Sequence, residues 1–371
     1  MNRRPSQSRT GFDSFSPQHT AHFKAAQPGG EFFEPKPRAS LGRRLLLALL
    51  LMTLIALAVN LAVNQFVRVA RVTVPIRRMD SAFEGYTLLQ ISDLKGATYG
   101  SNQALIRFAL QNEDFDAVVF TGDMVSSRGN AQPLYALIEM LRELKPDAPI
   151  YMIPGDKDPL PASMSYATGG SPFAPWVLGA KQRGGQLLSA PVQIERDGHT
   201  LWLTTSALLS LDMDTMQAQF ERQYLDALAD GDENAIELTT YNLQWLTETR
   251  NARAKMTDAD VYIALTHVPP ADEELESAYP GSLRERVHLV LCGHYQGGLI
   301  RLPFAGALFI PSQNLPLYGL LPGADTYFGL TRKGRTYLYV SPGLGGNDGL
   351  YPLPFFRLFN PPTVSLTTSS L

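Results

Sequence analysis

Cysteine is all but missing from this chain. Cys292 stands alone among 371 residues, so no intrachain disulfide can brace the fold. A single thiol inside an apolar strand pattern reads as a small core residue, not a reactive group. Excess charge of one sign is missing too. Lys and Arg number 32 against 35 Asp and Glu, a net of -3. The concentrated basic face that nucleic acid requires is therefore lacking, and nucleic acid is excluded as a partner. No internal repeat is visible. The first 40 residues lack both the helical and the strand period. They are rich in Ser, Gln, Pro, Gly and Arg, with aromatics scattered singly, the composition of a tail that cannot bury enough apolar surface to fold.

What is present begins abruptly. Leu45 to Val63 is apolar throughout except for Thr53 and Asn60, about the length that crosses a bilayer. A buried core helix would need amphipathic partners, which the surrounding sequence does not supply. A cleaved secretory signal would carry its small-residue site after the apolar run, whereas Ala56-Leu57-Ala58 lies inside it. Arg43-Arg44 faintly resembles a twin-arginine export signal and serves equally as a basic flank. The expected organisation is a disordered tail over 1–40, a retained single-pass transmembrane helix over 43–64, a linker over 65–84 and one domain over 85–371. Residues 45–63 would contact the lipid bilayer. Basic residues stand on both sides of the span, Arg43 and Arg44 before it and Arg68 and Arg71 after it, so loop charge does not choose an orientation. A short head ahead of a first span favours an extracytoplasmic domain.

Beyond the linker, short apolar runs alternate with helix-like stretches. Strands are expected at 86–91, 117–121, 149–153, 192–194, 200–205, 261–266, 287–292, 336–341 and 363–366. Helices are expected near 101–112, 131–145, 215–229 and 234–256. This alternation predicts βαβ units and a central sheet covered on both faces. The Gly- and Pro-rich stretch 297–362 predicts turns and short strands packed against that sheet.

Five of the runs end in small, acidic or imidazole clusters. They are Ile91-Ser92-Asp93-Leu94-Lys95-Gly96, Phe120-Thr121-Gly122-Asp123, Ile153-Pro154-Gly155-Asp156-Lys157-Asp158, Leu265-Thr266-His267-Val268-Pro269 and Leu291-Cys292-Gly293-His294-Tyr295-Gln296-Gly297-Gly298. One aspartate after a strand is usually a turn former. Five candidate ligands at five strand tips (Asp93, Asp123, Asp156, His267 and His294) instead predict a metal site, because ligands gather beyond the C-terminal ends of strands in α/β sheets.

These blocks resemble, in order, the motifs of the calcineurin-like metallophosphoesterases, and within them a membrane-associated bacterial branch. That family's motifs run D-x-H, G-D, G-N-H-D/E, a lone His before a Pro, and G-H-x-H. The resemblance covers roughly residues 85–371, and includes Gly297 to Phe304, Tyr339 to Gly345 and Phe359-Asn360-Pro361-Pro362. It implies an α/β fold, a four-layer α/β/β/α sandwich.

Carried over position by position, the resemblance also implies an altered metal site. The family's first metal uses the positions of Asp93, Lys95, Asp123 and Gln296, so two of its ligands are replaced. An ammonium has no lone pair to give a cation, and Lys95 is expected to sit between Asp93 and Asp123 in the missing ion's place. The second metal uses Asp123, Asp156, His267 and His294, all able to ligate one divalent ion such as Mn, Fe or Zn. The histidine that serves the leaving group is Lys157 here, a poor proton shuttle near neutrality. Asp158 matches the acidic residue that follows and is expected to orient its neighbour. The implied candidate catalytic set is thus Lys157, Asp158 and Lys95. The expected function is a membrane-anchored phosphoesterase-fold protein with weak or lost hydrolysis, binding a phosphoester ligand or a protein partner. The alternative is an active one-metal enzyme acting on a phosphomonoester or phosphodiester.

Overall fold

The computed structural model describes residues 40–76, 79–167, 169–276, 283–298, 300–302, 306–308, 310, 319–323, 327–345 and 357–371. The expected tail, but for Ser40, lies outside the described residues, as does much of the stretch 297–362. The chain divides into two units, Met1–Thr53 and Leu54–Leu371. Helix α1 (Leu41–Val63) is uninterrupted, since no Pro or Gly follows Gly42 within it, and it is long and apolar enough to cross a membrane.

In the second unit the strands are β1 (Arg68–Pro75), β2 (Thr87–Ile91), β3 (Ala117–Thr121), β4 (Ile150–Ile153), β5 (Gly185–Leu187), β6 (Val192–Arg196), β7 (His199–Thr205), β8 (Val261–Leu265), β9 (Leu289–Cys292), β10 (Arg301–Leu302), β11 (Gly306–Ala307), β12 (Gly329–Lys333), β13 (Thr336–Val340) and β14 (Thr363–Ser370). They build two six-stranded sheets, ordered β1-β14-β2-β3-β4-β5 and β12-β13-β9-β8-β7-β6, with β10-β11 a small separate pair. Strands β2, β3 and β4 run parallel to one another, as do β7, β8, β9 and β13. All their C-terminal tips therefore point the same way within each sheet.

Side-chain alternation divides the apolar residues between two cores. Leu88, Val119, Tyr151 and Ile153 of the first sheet pack with Leu201, Leu203, Ile263, Leu289 and Leu291 of the second. The two sheets thus stack face to face. The alternate residues Leu89, Ile91, Val118, Phe120, Ile150 and Met152 meet Ile106, Leu134, Leu137, Ile138, Trp176 and Val177. These last come from helices α2 (Ala104–Leu110), α3 (Gln132–Leu144) and α4 (Pro175–Gln182). On the far side, Trp202, Tyr262, Val290 and Cys292 face Leu209 and Met256. The long insert folds into two helices, α5 (Met213–Asp230) and α6 (Glu233–Lys255), joined through Gly231 at φ 67° and held by Met213, Phe220 and Leu246. The architecture is α/β with two stacked sheets flanked by helices.

Cys292 is fully buried; burial pushes its thiol well above the ordinary range. The two stacked sheets are those of the α/β/β/α sandwich that the resemblance implies, and the central sheet expected from the alternation is doubled because each face of a strand such as β2 needs its own apolar partner. The stretch 65–84 also differs from a linker. It holds β1, paired in parallel with β14 along its whole length, and Val74, Ile76, Met79 and Phe83 enter the inter-sheet core. Only one face of β1 is buried, so its sequence shows polar and basic residues where a central strand would be apolar throughout. A chain truncated to begin at residue 80 is accordingly expected to aggregate, since it bares the edge of β14 and empties those core positions. One beginning at residue 64 should elute as a folded species in size-exclusion chromatography. Equal behaviour of the two would refute this role for β1.

Candidate metal centre

The tips of β2, β3, β4, β8 and β9 converge. Backbone hydrogen bonds stitch the turns together: the Asp93 amide donates to the Gly122 carbonyl at 3.0 Å and the Lys95 amide to the Asp123 carbonyl at 2.8 Å. Asp93, Lys95, Asp123, His294 and Gln296 all adopt positive φ, between 51° and 67°. Non-glycine residues hold that conformation only where the surroundings impose it, and such positions cluster at functional sites. Gly122 could be no other residue, because a Cβ there would meet His267 Nδ1 at 2.6 Å.

Three other candidate ligands gather around His267 Nε2. It lies 2.9 Å from Asp156 Oδ1, 3.4 Å from Asp123 Oδ1 and 3.4 Å from His294 Nδ1, and the last is 3.3 Å from Asp156 Oδ1. Donors bound tetrahedrally at about 2.1 Å stand about 3.4 Å apart. Asp156, His267 and His294 stand at separations that fit donors to a single divalent ion, and Asp123 approaches the same imidazole from the other side. His267 Nδ1 donates to the Thr121 carbonyl at 2.8 Å, the outer contact that fixes a ligating imidazole and aims its other nitrogen. The resulting groupings are Asp156, His267 and His294 on one side and Asp93, Asp123 and His267 on the other.

On that other side stands an ammonium. Lys95 Nζ is 3.3 Å from Asp123 Oδ2 and 3.9 Å from Asp93 Oδ1, with its side chain only 7 % exposed. The Asp93 carboxylate also accepts from Ser92 Oγ at 2.6 Å and from the His294 amide at 3.1 Å. Gln296 is buried, and its Oε1 has no partner among the described residues. Lys157 is different. Its side chain is 53 % exposed, its Nζ bonds Asp156 Oδ2 at 2.9 Å, and its amide donates to Asp123 Oδ1 at 2.9 Å. Asp158 turns away from the ligands: its two oxygens accept from the Val125 and Gly155 amides at 2.7 and 2.8 Å, clamping the β3 and β4 loops. Burial raises its carboxyl above the usual range.

Electrostatics follow the geometry. Burial disfavours a charged His267, but its hydrogen bonds to Asp123 and Asp156 outweigh it and push the imidazole up to about 11. The His267 hydrogen bond, followed by that of His294, holds Asp156 far below the carboxylate range. Burial works to raise Asp123, yet His267 and Lys95 keep it lowered. A metal ion must displace the proton on His267 Nε2, because Nδ1 is committed to Thr121. Metal uptake at neutral pH is thus expected to release about one proton per chain, with affinity rising about tenfold per pH unit below the imidazole's raised value. Calorimetric titration with manganese in two buffers of different ionisation enthalpy measures this. A buffer-independent heat would remove His267 from the ligand set.

Three contributors were not among the expected site residues. Gln90, fully buried in β2, donates through Nε2 to Thr121 Oγ1 and to the Cys292 carbonyl, both at 2.9 Å, tying the two sheets beneath the site. A buried Gln in an otherwise apolar strand was the available clue. Arg357 and Asn360 hold the Gln296 carbonyl at 2.9 and 2.8 Å, through contacts distant in sequence. The site stands apart from a cavity of about 570 Å³ at the opposite ends of β8 and β9, where Arg286 pairs with Asp258 and Arg335 with Glu285.

Residues 86–296 match the calcineurin-like phosphoesterase family. Among curated proteins the chain is similar to the uncharacterized metallophosphoesterase YkuE of Bacillus subtilis (strain 168), 26% identical over 268 residues, 71% of this chain and 73% of that one. Among solved structures it is similar to one described as a 5'-nucleotidase from Staphylococcus aureus in complex with alpha-ketoglutarate, at 12% identity and a TM-score of 0.32. That likeness covers 71% of this chain and about half (49%) of the other. The matched span runs from just before β2 through Gln296, and the strand tips within it carry the acidic and imidazole groups gathered at the site. This chain belongs to the calcineurin-like phosphoesterase family.

Proposed function

We propose that this chain is a membrane-anchored phosphoester-binding domain that holds one divalent ion and in which hydrolysis is weak or lost. The observation that carries the reading is the Lys95 ammonium lodged between Asp123 and Asp93 at 3.3 and 3.9 Å, a fixed positive charge where the family resemblance puts its first metal. Asp123, Asp156, His267 and His294 would hold the remaining ion, which supplies Lewis acidity toward a phosphoryl oxygen when bound. Lys157, half exposed beside Asp156, adds positive charge for a phosphate but is ill suited to deliver a proton to a leaving group. Asp158 keeps the loops around the site in register, and Lys95 balances two buried carboxylates. α1 anchors the chain, with the domain on the extracytoplasmic side.

A second reading, a slow one-metal esterase, is supported by the close convergence of Asp156, His267 and His294. Elemental analysis of the detergent-solubilised full chain separates these readings from a two-metal enzyme. One equivalent of manganese, iron or zinc is expected, and two tightly held equivalents would refute the substitution of Lys95 for a cation. Turnover of a chromogenic phosphodiester at the rates typical of enzymes would favour the esterase.

A further inference from the structure

The last turn of α1 is built into the domain. Asn60, inside the apolar run, is 3 % exposed. Its Nδ2 donates to the Arg357 carbonyl at 2.7 Å, and its Oδ1 accepts from the Phe359 amide at 2.8 Å. Asn64, one turn on, donates to the same Arg357 carbonyl at 2.6 Å. The fully buried Arg357 guanidinium donates in turn to the carbonyls of Gln296, Pro342, Gly345 and Asn360, at 2.6 to 2.9 Å. The Gly345 amide returns to the Asp93 carbonyl at 2.6 Å. One hydrogen-bonded chain therefore links the end of α1 to the loop that carries His294 and Gln296 and to the tip of β2. A tether meant only to hold a domain near a membrane needs none of these bonds.

Around this joint the protein leaves large apolar side chains uncovered. Phe66, Leu302, Leu321, Phe328 and Phe359 are all exposed, although apolar side chains of this size favour leaving water. They belong to one neighbourhood. The Arg301 amide donates to the Leu358 carbonyl at 2.9 Å, the Leu308 amide to Ile300 at 2.8 Å, and the Leu321 amide to Leu308 at 2.9 Å. The Arg301 guanidinium lies 4.1 Å from the Phe328 ring centre. Phe359 is bonded to Asn60 itself. Every α1 residue from Leu41 to Val59 is exposed, and from Leu45, past the basic flank Arg43-Arg44, this apolar stretch runs about 22 Å at ~1.5 Å per residue, the greater part of a hydrocarbon core. Asn60, the first position that protein covers, thus falls toward the far end of the span, and the apolar side chains stand at the same joint. Arg68 and Arg301 lie there as well and suit anionic headgroups.

Resting on the anchor reading above, we propose that this face is a membrane-docking surface. Phe66, Leu302, Leu321, Phe328 and Phe359 seat in the interfacial layer of the bilayer, and the Asn60–Asn64–Arg357 joint fixes the domain, with its metal-site loop, in one orientation on the membrane. The test uses the full chain in phosphatidylcholine–phosphatidylglycerol vesicles, with a fluorophore on Phe66→Cys, Leu321→Cys or Phe328→Cys and on Leu225→Cys as the remote control. Cys292 is buried and leaves the labelling clean. Alkaline extraction first establishes integration. The expected result is retention in the membrane, with lipid-borne quencher dimming the three docking positions at least about twofold more than Leu225. Asn60→Leu with Asn64→Leu should bring that difference down while the chain stays integrated. Release by alkali overturns the anchor and the docking surface together. Retention with the three positions as open to iodide as Leu225 overturns the docking surface alone, and so does shielding from both quenchers, the mark of a protein partner.

Discussion

Replacing Lys95, Lys157 and Gln296 together by histidine is expected to give a chain that binds two metal ions and cleaves a chromogenic phosphodiester in manganese at least about a hundredfold faster than the native chain. That is the lower range for positioned acid–base catalysis and corresponds to about 2.7 kcal/mol of barrier. The backbone is ready for the change. The Lys95 amide is held by the Asp123 carbonyl, and the Gln296 carbonyl by Arg357 and Asn360, so neither position depends on its present side chain for its place. Asp93 and Asp123 already face the space that Lys95 fills. Position 157 stands at the open side of the site, next to Asp156. The three changes should act as a unit, because a proton donor without the second ion, or the reverse, completes no clamp on the attacking and leaving oxygens. A further His294→Ala change must abolish the gain, which excludes a contaminating phosphatase. A variant that folds, binds two ions and stays inert would show that the site is closed by something outside its ligands.

Replacing Lys95 by Met is expected to destabilise the metal-free chain by about 3–5 kcal/mol, the usual cost of removing one partner of a buried charge pair. The figure is apt because Lys95, Asp93 and Asp123 are all almost wholly buried, so solvent does not screen the carboxylates left behind. Asp93 Oδ1 has no hydrogen-bond partner among the described residues, and the Lys95 ammonium stands 3.9 Å from it. Denaturant unfolding with excess chelator gives the value. A second measurement guards the interpretation: manganese should recover part of the lost stability in the Lys95→Met chain and do so more than in the native one, because the vacated space lies between two carboxylates. A change below about 1 kcal/mol, within the range of exposed ion pairs, would show that Lys95 does not stand in for a cation.

Much of the scaffold was legible in the residues. Continuous apolar runs such as Ala117–Thr121 and Val261–Leu265 are strands buried on both faces, and a five-residue stretch of that kind has little else to become. The helices Gln132–Leu144 and Glu233–Lys255 lie within a residue or so of their expected bounds. β1 and β12 were not legible, for the same reason in each: a strand half in solvent carries polar and basic residues, and only its neighbour in the sheet reveals it. β5, with three residues, is too short to show a period. Among site residues, Asp158 could be recognised as part of a motif but not placed, since its bonds to the Gly155 and Val125 amides depend on how two loops meet.

The sequence by itself determined the order of strand tips, the kinds of donor at each and the presence of Lys95 and Gln296 among them, because these are matters of residue type and local pattern. Only the tertiary structure decided that Lys95 Nζ reaches Asp123, that His267 stands at the centre of the other ligands, and that Asn60 meets Arg357 across 297 positions of chain. Those contacts join residues far apart in sequence, and their distances are set by two packed sheets that no local pattern can position relative to each other.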